Sequence, residues 1–220
     1  AFMKEMTYSD AIRDGLSVAL GDPSVICYGL GVDDPKGVFG TTSGLQERFG
    51  ADRVFDMPAS ENAMTGVAVG AALNGIRPVM THQRLDFFLL AMDQLVNSAA
   101  KWHYMFGGKM QAPMLIRMIV GRGWGQGPQH SQSLHAWFAH IPGLKVVVPS
   151  LPSNAYTLLN ESIKDPIDPD TVLLGLIFVS FLPLKNLPKV NPPISENIQI
   201  KNKKSIYILY PVVIPSKTID

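Results

Sequence analysis

The sequence predicts an α/β domain, a doubly wound, mostly parallel sheet with helices on both faces. Short apolar runs rich in β-branched residues alternate with segments of helical period, the pattern of strands joined by crossover helices. Hydrophobic residues make up 46% of the 220 positions and charged residues only 17%, enough apolar surface to bury such a sheet.

Taken in chain order, the strand candidates are Val25 to Val32, Arg53 to Asp56, Arg77 to Thr81, Met114 to Val120, Lys145 to Val148 and Val172 to Val179. The helix candidates are Ser9 to Leu20, Gly44 to Phe49, Ser60 to Asn74, Asp86 to Phe106, Ser131 to His140 and Ser153 to Lys164. Ser60 and Ser153 are the expected N-caps of their helices, while Gly75 and the Gly107-Gly108 pair are expected terminators. One domain is expected over residues 1–165. After the break DPIDPD the chain turns rich in Pro, Asn, Lys and Ile without helical period, so 166–220 is expected to be an atypical extension. It forms either a hairpin around Ile198 to Leu209 or a loose tail.

A formal net charge of +1 gives no reason to expect nucleic acid or an anionic membrane as partner. The single cysteine, Cys27, excludes an internal disulfide and suits a reducing compartment; its setting in VICYGLGV reads as a buried strand position rather than a nucleophile. The start AFMKEMTYSD has no apolar core of signal-peptide length, and the run Val172 to Leu184 is too short to span a bilayer. The expectation is a cytoplasmic protein with no membrane contact.

The stretch ASENAMTGVAVGAALNG, 59–75, places one carboxylate, Glu61, at the mouth of a helix that is otherwise small and apolar. Gly66, Gly70 and Gly75 cost roughly 1 kcal/mol each relative to alanine inside a helix, so close packing by a neighbour is favoured over helix propensity. Glu61 is then either a solvated first-turn acid favoured by the helix dipole, or an acid shielded in a crevice, where burial favours its protonated form.

The spacing of Glu61, Gly66 and Gly70 resembles the pyrimidine-binding motif of thiamine diphosphate enzymes. The stretches GLQERFG (44–50), RVFDMPASENAMTGVAVGAALNGIRPV (53–79), AMDQLVNSAAK (91–101) and QHSQSLHAWFAHIPGLKVVVPS (129–150) narrow it. Together they resemble the beta subunit of 2-oxo acid dehydrogenases of the pyruvate, branched-chain or acetoin type, over about residues 5–165. The resemblance implies a transketolase-like pyrimidine-binding domain in which Glu61 bonds a ring nitrogen of the cofactor's aminopyrimidine, favours its imino tautomer and promotes ylid formation for oxidative decarboxylation. It also implies that Phe87 stacks on the pyrimidine, that Gln83 lines the same pocket, and that His130, in GQGPQHSQ, positions substrate or handles protons. Read without the resemblance, Phe87 is equally a core residue on a helical face shared with Leu90 and Gln94. The resemblance also implies Asp33 as a cofactor contact, displaced by one residue because Val32 follows Gly31 where the family has an acid.

His130, His135 and His140 recur every five residues, which is not the spacing of an i, i+4 metal pair. The glycine-rich GRGWGQGPQH (121–130) lacks the Lys-Ser or Lys-Thr ending of a P-loop and reads as a mobile active-site loop. The family's Gly-Asp-Gly stretch, which holds the diphosphate through magnesium, has no counterpart beyond Gly21-Asp22-Pro23. The implied partners are an alpha-type chain carrying the magnesium, a second beta copy in a heterotetramer, and a lipoyl acyltransferase. The family's second domain is missing from 166–220, which suggests truncation or an altered reading frame. Two other readings stay open: a noncatalytic remnant that keeps the fold and binds a partner, and a fragment of a transketolase-like or deoxyxylulose-phosphate-synthase-like enzyme. The stretches Gln83 to Leu85 and Arg122 to Gln126 depart from the pattern of pyruvate enzymes, so the substrate side chain is not readable.

Overall fold

The computed structural model describes residues 6–120, 126–149 and 151–164, and the backbone of 172–174. Its first helix, α1 (Tyr8–Ala19), opens on a capping box in which Thr7 and Asp10 each bond the other's backbone N–H, an arrangement worth about 1 kcal/mol. The chain continues through β1 (Val25–Gly29), a short turn α2 (Gly37–Gly40), α3 (Leu45–Phe49), β2 (Val54–Asp56), α4 (Glu61–Leu73) and β3 (Arg77–Thr81). Then come α5 (Leu85–Phe88), α6 (Trp102–Met105), β4 (Leu115–Arg117), α7 (His135–Ala139), β5 (Leu144–Val146), α8 (Pro152–Lys164) and β6 (Val172–Leu174).

Strands β2, β1, β3 and β4 form one parallel sheet in that order, with Cys27 opposite Val54 and Val79, and Thr81 opposite Arg117. A second parallel ladder joins β5 to β6, and the β6 backbone also lies alongside β4. Successive strand residues point to opposite faces, so Val25, Cys27, Val79 and Leu115 enter one core with α1 and α8. Tyr28, Met80 and Ile116 enter the other, with α4, α5 and Phe138 of α7. Both faces are therefore covered, as the doubly wound reading requires. Cys27 is a fully buried strand residue whose thiol burial pushes up to about 11, as expected of an inert one.

Two approaches of backbone to backbone depend on glycine. A Cβ on Gly29 would sit 1.9 Å from the Thr81 carbonyl oxygen, and one on Gly143 would sit 2.1 Å from that of Ala100. In the turn α2, Val38 and Phe39 take left-handed angles, φ 42° and 60°, where side chains crowd the backbone.

Several element expectations need correction. The helix expected over Asp86 to Phe106 is broken into α5, a 3₁₀ turn (Leu89–Ala91), a π turn (Gln94–Ala99) and α6. The break before α6 falls where Gly143 presses on Ala100 and Lys101 Nζ donates to the Pro142 carbonyl, 2.9 Å. Phe87 and Leu90 share the solvent face, 41% and 66% exposed, so the core reading of Phe87 is overturned; Phe88, Ala91 and Leu95 fill the core instead. The helix expected over Ser131 to His140 starts only at His135, because Asp86 takes the Gln132 N–H before it. Ser60 stands at the N-cap of α4 without capping it through its side chain, and Ser153 lies inside α8, whose first residue is Pro152. Beyond Gly29 only the Leu30 N–H still reaches β3, at the Thr81 carbonyl (3.2 Å), and those of Gly31 and Val32 go to the Asp56 carboxylate. The Ile198 to Leu209 hairpin and the rest of 175–220 lie outside the described residues, as do 121–125 of the glycine-rich loop. Among the described residues no helix is long and apolar enough to cross a membrane.

Candidate functional site

Every sequence-predicted site residue follows the C-terminal end of a strand in one parallel sheet: Asp33 after β1, Glu61 after β2, Gln83 and Phe87 after β3, His130 after β4. Parallel pairing puts those four ends on one edge, where open α/β sheets bind ligands.

Asp56, the last residue of β2, builds the first part of that edge. Its two carboxylate oxygens accept the N–H groups of Gly31 (2.8 Å) and Val32 (2.5 Å), which fixes the loop bearing Asp33. Asp33 itself is exposed at the tip of that loop. The Gln83 amide lies over Gly31, where a Cβ would meet its Nε2 at 2.7 Å, so Gln83 joins the β1 and β3 loops.

Glu61 is the first residue of α4 and half-buried. Thr65 Oγ1 donates to its backbone carbonyl, 2.8 Å, which leaves the carboxylate out of that bond at the positive end of the helix. Along the same helix Gly66 faces the Gln94 side chain, but Gly70 meets no described residue within 4 Å and Val67 is half-exposed. Among the described residues the close approach expected at the glycines is thus made at Gly66 alone, and the face through Val67 and Gly70 stays open.

Phe87 and His130 are brought together: their rings meet edge to face, centroids 5.1 Å apart at 86°. His130 closes a 3₁₀ turn (Pro128–His130) and is half-buried, its Nδ1 enclosed without a hydrogen bond. The structure adds two charged residues not singled out from the sequence. Arg84 and Asp86, each 7% exposed, bracket Leu85 at the start of α5. Arg84 Nη2 donates to Gln126 Oε1 (2.9 Å), and its guanidinium lies over the Phe39 ring. Asp86 Oδ1 accepts the Gln132 N–H, 3.1 Å. A charge two residues from another of opposite sign beside the aromatic position was the available signal. Burial lowers the Arg84 pKa, and the Asp86 charge opposes that shift. His82, just before them, is pushed down to about 4 by burial and stands edge-on to Phe88. Burial lowers the His135 pKa too. Among the described residues no group of three or more His, Cys, Asp or Glu is arranged to hold a metal ion.

The fold and this edge define a parallel α/β module that brings an acid, an aromatic ring and a histidine to the ends of separate strands. Residues 4–175 match the model of the transketolase pyrimidine-binding domain, and the chain belongs to that family. It is 42% identical over 167 residues to the mitochondrial pyruvate dehydrogenase E1 component subunit beta-2 of Oryza sativa subsp. japonica, covering 76% of this chain and 44% of that protein. It is 47% identical over 169 residues to the acetoin:2,6-dichlorophenolindophenol oxidoreductase subunit beta of Cupriavidus necator, covering 75% and 48%. The chain thus spans less than half the length of these curated relatives. A solved split-gene transketolase, an inactive beta4 tetramer, superposes with a TM-score of 0.60 at 19% identity, over 79% of this chain and 51% of that one, and shows the shared fold.

Proposed function

We propose that this chain works as the beta-type subunit of a thiamine diphosphate-dependent 2-oxo acid or acetoin-type dehydrogenase. The observation that carries the reading is Glu61 at the first turn of α4, on the sheet edge that also presents the Phe87 and His130 pair. The relatives named above are pyruvate and acetoin enzyme subunits, which supports the class without choosing the substrate.

The residues fit an aminopyrimidine. Phe87 offers an exposed ring face for stacking, and Glu61 offers a carboxylate at a partly desolvated helix mouth. When bound, the thiazolium of the cofactor supplies the electron sink for decarboxylation. Glu61 holds a proton at a pyrimidine ring nitrogen, and Phe87 fixes the plane of that ring. Gln83 and Asp33 line the β1 and β3 side of the pocket. His130, set against Phe87, orients the 2-oxo acid or moves a proton near it. The diphosphate and its magnesium are assigned to an alpha-type partner. A second beta copy covers the open face of α4 through Val67 and Gly70, and a lipoyl acyltransferase accepts the acyl group. The pyrimidine module is assigned to residues 1–165 and an atypical extension to 166–220. We place the protein in the cytoplasm on its single cysteine, although the plant relative carries the word mitochondrial in its name.

The test is reconstitution with the alpha-type chain, cofactor and magnesium, followed by 2-oxo acid-dependent reduction of an artificial electron acceptor. Glu61→Gln should lower kcat by about 10²- to 10⁴-fold, the usual range for a positioned acid, while the complex still assembles. Full activity in Glu61→Gln overturns the reading. An assembled complex that never turns over favours the noncatalytic alternative.

A further inference from the structure

Two side chains from one short segment grip the histidine segment at both of its ends. Arg84 reaches Gln126, and Asp86 reaches the backbone N–H of Gln132, so the two bonds bracket His130. Between them, Phe87 of the gripping segment touches the His130 ring itself. The bonds span 42 and 46 residues of sequence, so they join the segment after β3 to the segment beyond β4 rather than shape a local turn.

We propose that Arg84 and Asp86 form a two-point clamp that positions His130 against Phe87, an inference that rests on His130 acting in the site. Both gripping side chains are nearly inaccessible to water, so their bonds are weakly contested by solvent. Asp86 Oδ2 is buried without a hydrogen bond, and so is His130 Nδ1 in the clamped segment. An enclosed unpaired polar atom costs about 1–3 kcal/mol, so neither group is there for stability alone. Arg84 and Asp86 are positioning residues, since they act through His130.

The experiment uses the full chain first and its complex with the alpha-type partner second. In the free chain, Asp86→Ala should raise hydrogen exchange across 126–134 by about tenfold or more, because the clamped amides lose their tie. Asp86→Asn keeps the oxygen that accepts the Gln132 N–H and should restore most of that protection. Gln132→Pro removes the donor from the other side and should match Asp86→Ala, which keeps the test decisive if Asp86→Ala folds poorly. In the complex, Asp86→Ala should lower kcat about 10- to 100-fold with KM for the 2-oxo acid little changed, the cost of misplacing a group by about an ångström. Unchanged exchange in Asp86→Ala and Gln132→Pro overturns the clamp, and so does Asp86→Asn behaving like Asp86→Ala. His130→Ala separates the two levels: if it leaves kcat intact while exchange follows the clamp variants, the His130 role is wrong and the clamp stands.

Discussion

Residues 6–81 and residues 82–164 share one fold but treat buried polar groups differently. In the first stretch Tyr28 Oη donates to the Met64 carbonyl (2.8 Å), and Thr42 Oγ1 to that of Val32 (2.9 Å). Among the described residues, every buried side-chain nitrogen or oxygen without a hydrogen bond lies at position 82 or later, including His82 Nε2, Asp86 Oδ2, Trp102 Nε1, His130 Nδ1 and both terminal nitrogens of Arg117. Buried polar atoms are paired nearly everywhere in proteins, and the exceptions gather where a ligand or partner completes the site. The contrast separates a stretch whose described buried polar atoms are paired from one that carries unfilled bonds, Asp86 Oδ2 and His130 Nδ1 among them.

In the first stretch the tightest backbone contact should be the costliest to disturb. Gly29→Ala drives a Cβ to within 1.9 Å of the Thr81 carbonyl, and backbone on both central strands must part to admit it. We expect a loss of about 4 kcal/mol or more, seen as failure to recover soluble folded chain. A Gly29→Ala chain that melts like the parent would remove that side of the comparison.

On the other side, His82 should make the second stretch sensitive to acid. Burial holds its folded pKa near 4, below the 6.5 of the free side chain. Between those values the unfolded chain binds the proton and the folded one does not, so stability falls as pH drops from 6.5 and levels off below 4. The two-and-a-half-unit gap corresponds to about 3 kcal/mol at the acid end. Urea midpoints from pH 7 to 4, parent against His82→Phe, measure it; the variant should lose the part of the slope due to His82. Parallel slopes would mean that His82 is wet or paired in solution.

What the sequence makes legible follows the same boundary only in part. The elements up to Thr81, apart from the unexpected short turn α2, lie within a few residues of expectation because alternation and glycine signals there are local, and so do β4, β5 and α8 beyond it. Glu61 was legible from its position at a helix mouth, but that α4 would leave Val67 and Gly70 open was not, since what covers a face belongs to another chain or segment. Past Thr81, helical period predicted one long helix where the chain forms α5, a 3₁₀ turn, a π turn and α6. Nothing local encodes that break, which coincides with the contact of Gly143 on Ala100, 43 residues away. Arg84 and Asp86 were missed for the same reason: their partners lie beyond β4, and only the folded edge brings them together.

The finest comparison is between two arginines, one on each side of the boundary. Arg53 donates from Nε to the Val25 carbonyl (2.8 Å) and from Nη2 to those of Leu20 (3.1 Å) and Asp22 (2.7 Å), tying the end of α1 to β1. Arg117 is fully buried on β4, its terminal nitrogens unpaired and only Nε near Thr81 Oγ1 at 3.4 Å, and burial lowers its pKa to about 10. Replacing an engaged guanidinium loses charge-assisted bonds, so Arg53→Met should cost about 2 kcal/mol, lowering Tm by roughly 4–8 °C. Replacing a buried, poorly paired one by an apolar chain of similar reach removes a desolvation cost, so Arg117→Met should gain about 1 kcal/mol and raise Tm by roughly 2–4 °C. Opposite signs in calorimetry would sharpen the boundary at residue 82. Equal losses would erase it, because Arg117 must then be paired in solution, and the stretch that carries Phe87 and His130 would be as complete as the one that carries Glu61.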